Sequence, residues 1–240
     1  MRSYARHQLK QDAFAASTAE TISWAVDHRS KLVAAVTVVA VIVALLIGGW
    51  AYINYRDQQA KQQLSAAIQK FNIPVRPAGM ANPTPDFVSY GSNEERAKAT
   101  NPEFVRIADK YSHTQSAAVA RYFAGITARD MNDTAAAQKD FEEVAGSRYP
   151  EIASLAKFAL ASVYHDSGKN QQAVDLYKQM IDHPTVSVGR STAQFALASL
   201  YQSTGKPDEA KHLYEQMQKE TPNSMVAQLA GQRLQELTKQ

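Results

Sequence analysis

Near the start of the chain, apolar and polar positions stop alternating. From Leu32 to Tyr55 there are 24 residues without a formal charge, bracketed by Lys31 and Arg56, and most are Val, Ile, Ala or Leu. At about 1.5 Å per residue such a helix measures roughly 36 Å, enough to cross a hydrocarbon core of about 30 Å with some tilt. The β-branched run Val36 to Val43 favours a strand in water. A lone spanning strand leaves its backbone unpaired in lipid, so a helix is predicted. A buried core helix would have to hide this stretch on every side, which a small domain does not do. A cleaved signal peptide usually has an apolar core of about 7 to 15 residues. Here the run is longer and begins only at residue 32, although Gly49 and Ala51 provide a small-x-small pair. The reading is an uncleaved signal-anchor, with Trp50, Tyr52 and Tyr55 at its exit end, where amphipathic rings suit a membrane interface.

The flanks supply orientation. Arg29 and Lys31 abut the span, with Lys10, Arg6 and Arg2 further out, whereas Arg56, Lys61 and Lys70 follow it. Positive-inside bias predicts a cytoplasmic N-terminus and an extracytoplasmic C-terminal domain, single-pass in a bacterial inner membrane with the domain in the periplasm. Within the span, Ala40, Ala44 and Gly48 recur every four residues, a stripe that lets another membrane helix approach closely. Residues 1 to 31 form the cytoplasmic tail. Its Leu9, Ala13, Phe14, Ile22, Ala25 and Val26 fit a short amphipathic helix on the membrane face, or a loosely ordered tail with a helical last turn.

Residues 56 to 72 are rich in helix formers and carry Leu64, Ile68 and Phe71 on one face, which predicts a juxtamembrane helix. Five of the nine prolines, Pro74, Pro77, Pro83, Pro85 and Pro102, then fall within 29 residues. Proline removes a helix donor, so residues 73 to 100 are expected to be a semi-extended spacer holding the following domain away from the bilayer.

From residue 101 to 240 the pattern is helical and repeats. Leu160, Ala161, Tyr164, Gly168, Ala173, Tyr177, Met180 and Pro184 return 37 residues on as Leu197, Ala198, Tyr201, Gly205, Ala210, Tyr214 and Met217, followed by Pro222. Thirty-six residues earlier stands a degenerate copy: Ala124, Gly125, Ala128, Asn132, Ala137, Phe141, Val144 and then Pro150. Each copy reads as a helical hairpin. Gly or Asn closes the first helix in a left-handed conformation, a small Ala admits the second helix, and an aromatic fills the space one turn later. Pro150 and Pro222 are placed to open the helices that follow. One hairpin cannot bury its own apolar face, so the copies must stack. Phe104, Ile107, Ala108 and Tyr111 imply a further hairpin at the start, and Met225, Ala227, Leu229, Ala230 and Leu234 a closing helix. The fold class is therefore all-α, with one N-terminal transmembrane helix followed by an α-solenoid of helical hairpins.

Over residues 100 to 237 the pattern resembles the tetratricopeptide repeat, the helix-turn-helix repeat with Leu-Gly-x-x-Tyr, a Gly four residues on, then Ala and an aromatic. The period is 36 to 37 instead of 34, and Ala161 and Ala198 stand where Gly is usual. Taken with the tail and the single span, the chain is similar to the ancillary SecYEG translocon subunit family of bacterial inner-membrane proteins, although its spacer and tail are longer. That resemblance implies a scaffold binding proteins, with translocon subunits and periplasmic chaperones as partners. An adaptor in envelope assembly or cell-division coordination is the alternative.

Composition narrows the chemistry. There is no cysteine, which excludes disulfides, thiolate metal sites, a cysteine nucleophile and a lipidated cysteine anchor. The formal net charge of +3 divides into +2 for residues 1 to 31 and +1 for residues 56 to 240, an almost neutral domain that argues against nucleic acid. No nucleotide-binding glycine motif, His-Glu-x-x-His or nucleophile elbow occurs, and the six histidines are never spaced as ligands on one helix face. No enzyme activity, cofactor, metal or small-molecule substrate is expected.

What remains is a binding surface. In tetratricopeptide arrays the first helix of each hairpin lines the concave face, and the resemblance places Tyr122, Phe158 and Phe195 there, one aromatic per copy. Around them fall Val119, Arg129, Leu155, Ser162, His165, Thr192, Ser199 and Gln202. A basic clamp for a C-terminal carboxylate is not evident in that row, so the groove suits apolar or helical polypeptide segments. The alternative is that the three aromatics pack between adjacent hairpins.

Overall fold

The computed structural model describes residues 28–77, 79 and 88–238. The predicted amphipathic segment of the tail lies outside the described residues, as do Pro83 and Pro85. Among the described residues there are nine helices: α1 Arg29–Phe71, α2 Asn93–Lys110, α3 Gln115–Asp130, α4 Thr134–Ala145, α5 Pro150–Asp166, α6 Asn170–Asp182, α7 Arg190–Ser203, α8 Pro207–Glu220 and α9 Met225–Leu237. The chain divides into two compact units, up to Asn54 and from Tyr55 onward.

The first unit holds the apolar part of α1, a helix long and apolar enough to cross a membrane. Its side chains are exposed all round, from Val33 through Leu45 to Trp50, whereas a helix lying on a soluble core buries one face. Ala40, Ala44 and Gly48 lie on this exposed stretch.

In the second unit three copies fold as read. Helices α3 and α4, α5 and α6, and α7 and α8 form the hairpins, and α9 covers the last one. Asn132 (φ 60°), Gly168 (φ 74°) and Gly205 (φ 74°) take the left-handed conformation. The next amide in each copy reaches back five residues: Asp133 to the Ala128 carbonyl, Lys169 to Tyr164 and Lys206 to Tyr201, at 2.8 to 2.9 Å. This closure satisfies carbonyls that a helix end would leave unpaired. Of the repeating positions, Ala137, Ala173 and Ala210 and, one turn later, Phe141, Tyr177 and Tyr214 are buried, whereas Tyr164 and Tyr201 are half-buried.

The first hairpin differs from expectation. Its first helix is the end of α1 itself. Ala60, Leu64 and Ala67, at spacings of four and three, are buried against Phe104 and Ile107 of α2 in one cluster. Phe71 meets Phe104 at 6.1 Å and Phe123 of α3 at 5.5 Å, both edge-on. Gln63 Nε2 donates to the Tyr111 hydroxyl at 2.6 Å, and Asp57 accepts from the Ser116 amide at 2.9 Å. Residues 56 to 72 therefore belong to the repeat domain. The proline-rich stretch joins the two helices of one hairpin instead of separating membrane from domain. Its ends are clipped by a parallel bridge of Val75 with Tyr90, with Arg76 N donating to Tyr90 O and Tyr90 N to Pro74 O.

The segment 73 to 100 also ends earlier than expected, because α2 begins at Asn93. Ser92 accepts from the Glu95 amide at 3.0 Å and the Glu95 carboxylate accepts from Gly91 N at 2.6 Å, a strong start signal. Pro102 sits inside α2. A proline there removes one donor but does not outweigh that cap and the burial of Ala97, Phe104, Ile107 and Ala108. Pro150 starts α5 as expected, and Pro207 starts α8. Pro222 starts no helix: it lies in the turn before α9, which Ser224 caps.

A candidate partner-binding groove

Equivalent positions on α3, α5 and α7 form four rows. Val119, Leu155 and Thr192 make the first, Tyr122, Phe158 and Phe195 the second, Ile126, Ser162 and Ser199 the third, and Arg129, His165 and Gln202 the fourth. Val119 and Leu155 are half-buried, and each packs against two neighbouring core clusters, seated where consecutive hairpins meet. Thr192 is exposed.

The three aromatics are half-buried, and each meets a ring of its own hairpin while belonging to a cluster that reaches the following helices. Tyr122 lies 5.8 Å from Phe141, Phe158 5.6 Å from Tyr177 and Phe195 5.7 Å from Tyr214, ring centre to ring centre. The two rings are 19 residues apart in every copy, so the first-helix ring rests on the buried ring of the second helix. One edge is thus core and the other remains accessible. Burial raises the Tyr122 hydroxyl above its ordinary value, against the opposing effect of nearby Arg129. It pushes Tyr177 up to about 12, with Asp166 adding to the shift.

The polar rows are partly occupied by contacts within the domain. Tyr214 donates its hydroxyl to Gln202 Oε1 at 3.4 Å, and Ser199 Oγ lies 3.4 Å from the same hydroxyl. His165 shares a hydrogen bond with Asn170 Oδ1 at 2.8 Å through Nδ1 and another with Ser203 Oγ at 3.3 Å through Nε2. This ring joins α5, the start of α6 and α7. Ser162 is half-buried, and Arg129 is exposed at the end of its row. Asn170 and Ser203 were missed in the sequence because neither belongs to the repeating apolar pattern; only the fold brings them to His165.

The arrangement offers a row of aromatic edges beside a row that changes from cation to imidazole to amide. Such a surface suits a polypeptide segment with apolar side chains, since the rings present rigid contact area that loses little entropy on binding. Among the described residues no three His, Asp or Glu side chains are gathered as metal ligands.

A family model described as a tetratricopeptide repeat-like domain matches residues 30–183, and a tetratrico peptide repeat model matches residues 154–239. Among solved structures, the chain is similar to the nearly identical TPR-like repeats assigned to a Podosopora anserina kinesin light chain, and to a point variant of them. Identity is 15% and the TM-score 0.56 in both cases, with 76% of this chain covered and 87% or 86% of the other. At that identity the likeness concerns the fold. No curated protein matches the sequence.

Proposed function

Because the chain belongs to the tetratricopeptide repeat-like domain family, we propose that it is a membrane-anchored interaction scaffold whose α3, α5 and α7 face holds a polypeptide partner. The observation that carries this reading is the row of half-buried aromatics Tyr122, Phe158 and Phe195, each braced from below by a buried ring. A scaffold needs rigid contact residues, and a ring fixed on one edge does not lose its freedom again on binding.

The anchor is the apolar part of α1, with the tail cytoplasmic and the repeat domain periplasmic in a bacterial inner membrane. Its fully exposed apolar surface and the basic residues before it support this. Ala40, Ala44 and Gly48 offer another membrane helix a close approach. The partners are the protein-export translocon and periplasmic chaperones, following the resemblance in architecture to ancillary translocon subunits. Purification of the full chain in mild detergent is expected to recover translocon or chaperone components. Recovery of envelope-assembly or division proteins alone would contradict it. A reporter fused after Gln240 is expected to be active only outside the cytoplasm.

A further inference from the structure

A second kind of cleft occurs in two successive repeats, apart from the groove residues. Its lining in the second and third hairpins corresponds position by position at a spacing of 36: Thr114 with Pro150, Ala117 with Ala153, Ala118 with Ser154, Val144 with Met180 and Tyr149 with Thr185. Neither cleft is lined by any residue of the candidate groove. Arg121 lines the first and Lys157 the second, and Gln194 holds the corresponding position 37 residues later.

These three corresponding side chains have different surroundings. Arg121 is 14% exposed and is neutralised by Asp109, by Asp140 at 3.5 Å and by Glu143 at 3.3 Å. The buried Gln194 donates to Glu220 at 3.4 Å. Around Lys157 each of these acids is gone. Ala145 takes the place of Asp109, Leu176 of Asp140, Gln179 of Glu143 and His183 of Glu220. Glu151, an acid on the same helix, is engaged elsewhere, accepting from the Ser187 amide at 2.7 Å and the Val186 amide at 3.4 Å. Among the described residues no carboxylate pairs with Lys157.

The second cleft also holds hydroxyls with nothing to bond. Ser154 is 5% exposed, and its Oγ, like that of Ser147, is buried without a hydrogen-bond partner. A buried polar atom left unpaired is costly. The cleft has a volume of about 500 Å³, a size that admits a small molecule or a side chain. Lys157 offers an ammonium, Ser154 and Ser147 offer hydroxyl donors and Gln179 an amide N–H.

We propose that this cleft binds a carboxylate, which takes the place that Glu143 occupies in the preceding repeat. Its two oxygens accept from the Lys157 ammonium and the serine hydroxyls, and its charge supplies the missing counter-ion. The carboxylate comes either from an acidic side chain of a bound polypeptide or from a free dicarboxylic acid. The site is separate from the aromatic groove, so the inference stands whether or not that groove holds a partner.

The test is calorimetric titration of the full chain in detergent micelles with an acetylated, amidated Ala-Glu-Glu-Ala peptide, with its Gln-Gln counterpart, with glutarate and with inorganic phosphate. The Glu peptide is expected to bind and the Gln peptide not. Lys157→Gln and Gln179→Glu are each expected to weaken binding at least tenfold, the second by restoring the internal acid found opposite Arg121. Gln216→Glu changes the net charge equally, one repeat away, and is expected to have no effect. Arg129→Glu, in the groove, is likewise expected to leave this binding intact. Far-UV circular dichroism reports whether each variant folds. Binding of glutarate as well as the peptide identifies a free acid as sufficient, and binding of the peptide alone identifies a polypeptide ligand. Carboxylate binding that survives both Lys157→Gln and Gln179→Glu overturns the proposal, as does no carboxylate binding or binding of phosphate alone.

Discussion

Gly125 shows how a single atom sets the spacing of two helices. A Cβ built there would meet the buried Phe141 ring at 2.7 Å, and that ring cannot swing aside, being fully buried beside Tyr122. Gly125→Ala is expected to destabilise the protein by about 1 to 3 kcal/mol in a denaturant titration, the usual cost of overpacking a filled site. Adding Phe141→Leu should recover part of that loss. At the same scale, Tyr177 ties stability to alkaline pH. Its folded value of about 12 lies above the ordinary 10.0, so the unfolded chain releases this proton first. Its contribution is therefore intact below pH 10 and is lost as pH rises toward 12, by on the order of 2 kcal/mol. Melting temperature should fall across that window, and less steeply in Tyr177→Phe. The closing residues Asn132, Gly168 and Gly205 were legible in the sequence, since a left-handed backbone favours few side chains. The ring pairs were not: residues 19 apart meet only after a turn folds one helix onto the other, and periodicity within a helix does not reveal that.

At the scale of elements, α1 carries the main correction. Its apolar run and amphipathic end were both readable, but the prolines after it looked like a boundary between membrane and domain. In the structure they join two helices of one hairpin, because Ala60, Leu64 and Ala67 cover Phe104 and Ile107. A chain beginning at Tyr55 is therefore expected to fold cooperatively with α2 protected from amide exchange. One beginning at Ile73 should expose Phe104 and Phe123, bind a hydrophobic dye and melt at lower temperature. Equal stability of the two would contradict this packing. The closure of α5 can be probed separately. Gly168→Ala imposes a side chain at φ 74° and should cost about 1 kcal/mol in thermal denaturation, whereas Asn132→Gly should cost little. The α2 start was harder to read than the repeats: the Ser92 and Glu95 cap is a local signal, and it stood inside a stretch dominated by proline.

For the whole molecule, the lipid-compatible helix was readable from charge and hydropathy, and the repeat domain from residues recurring at 36 to 37 positions. The groove was readable in part. Repeat spacing places Tyr122, Phe158 and Phe195 on one row, but burial of their inner edges makes alanine substitution a poor probe. Removing Phe158 or Phe195 uncovers Tyr177 or Tyr214 and is expected to cost about 1 to 3 kcal/mol each. Contact is better read without deleting the ring. A photo-reactive phenylalanine analogue placed at Tyr122, Phe158 or Phe195 in the full-length chain in cells, with the exposed Lys139 as control, tests the scaffold directly. Crosslinks from the three groove positions to a translocon subunit or a periplasmic chaperone, absent from position 139, are the expected result; no groove-specific protein adduct would contradict it.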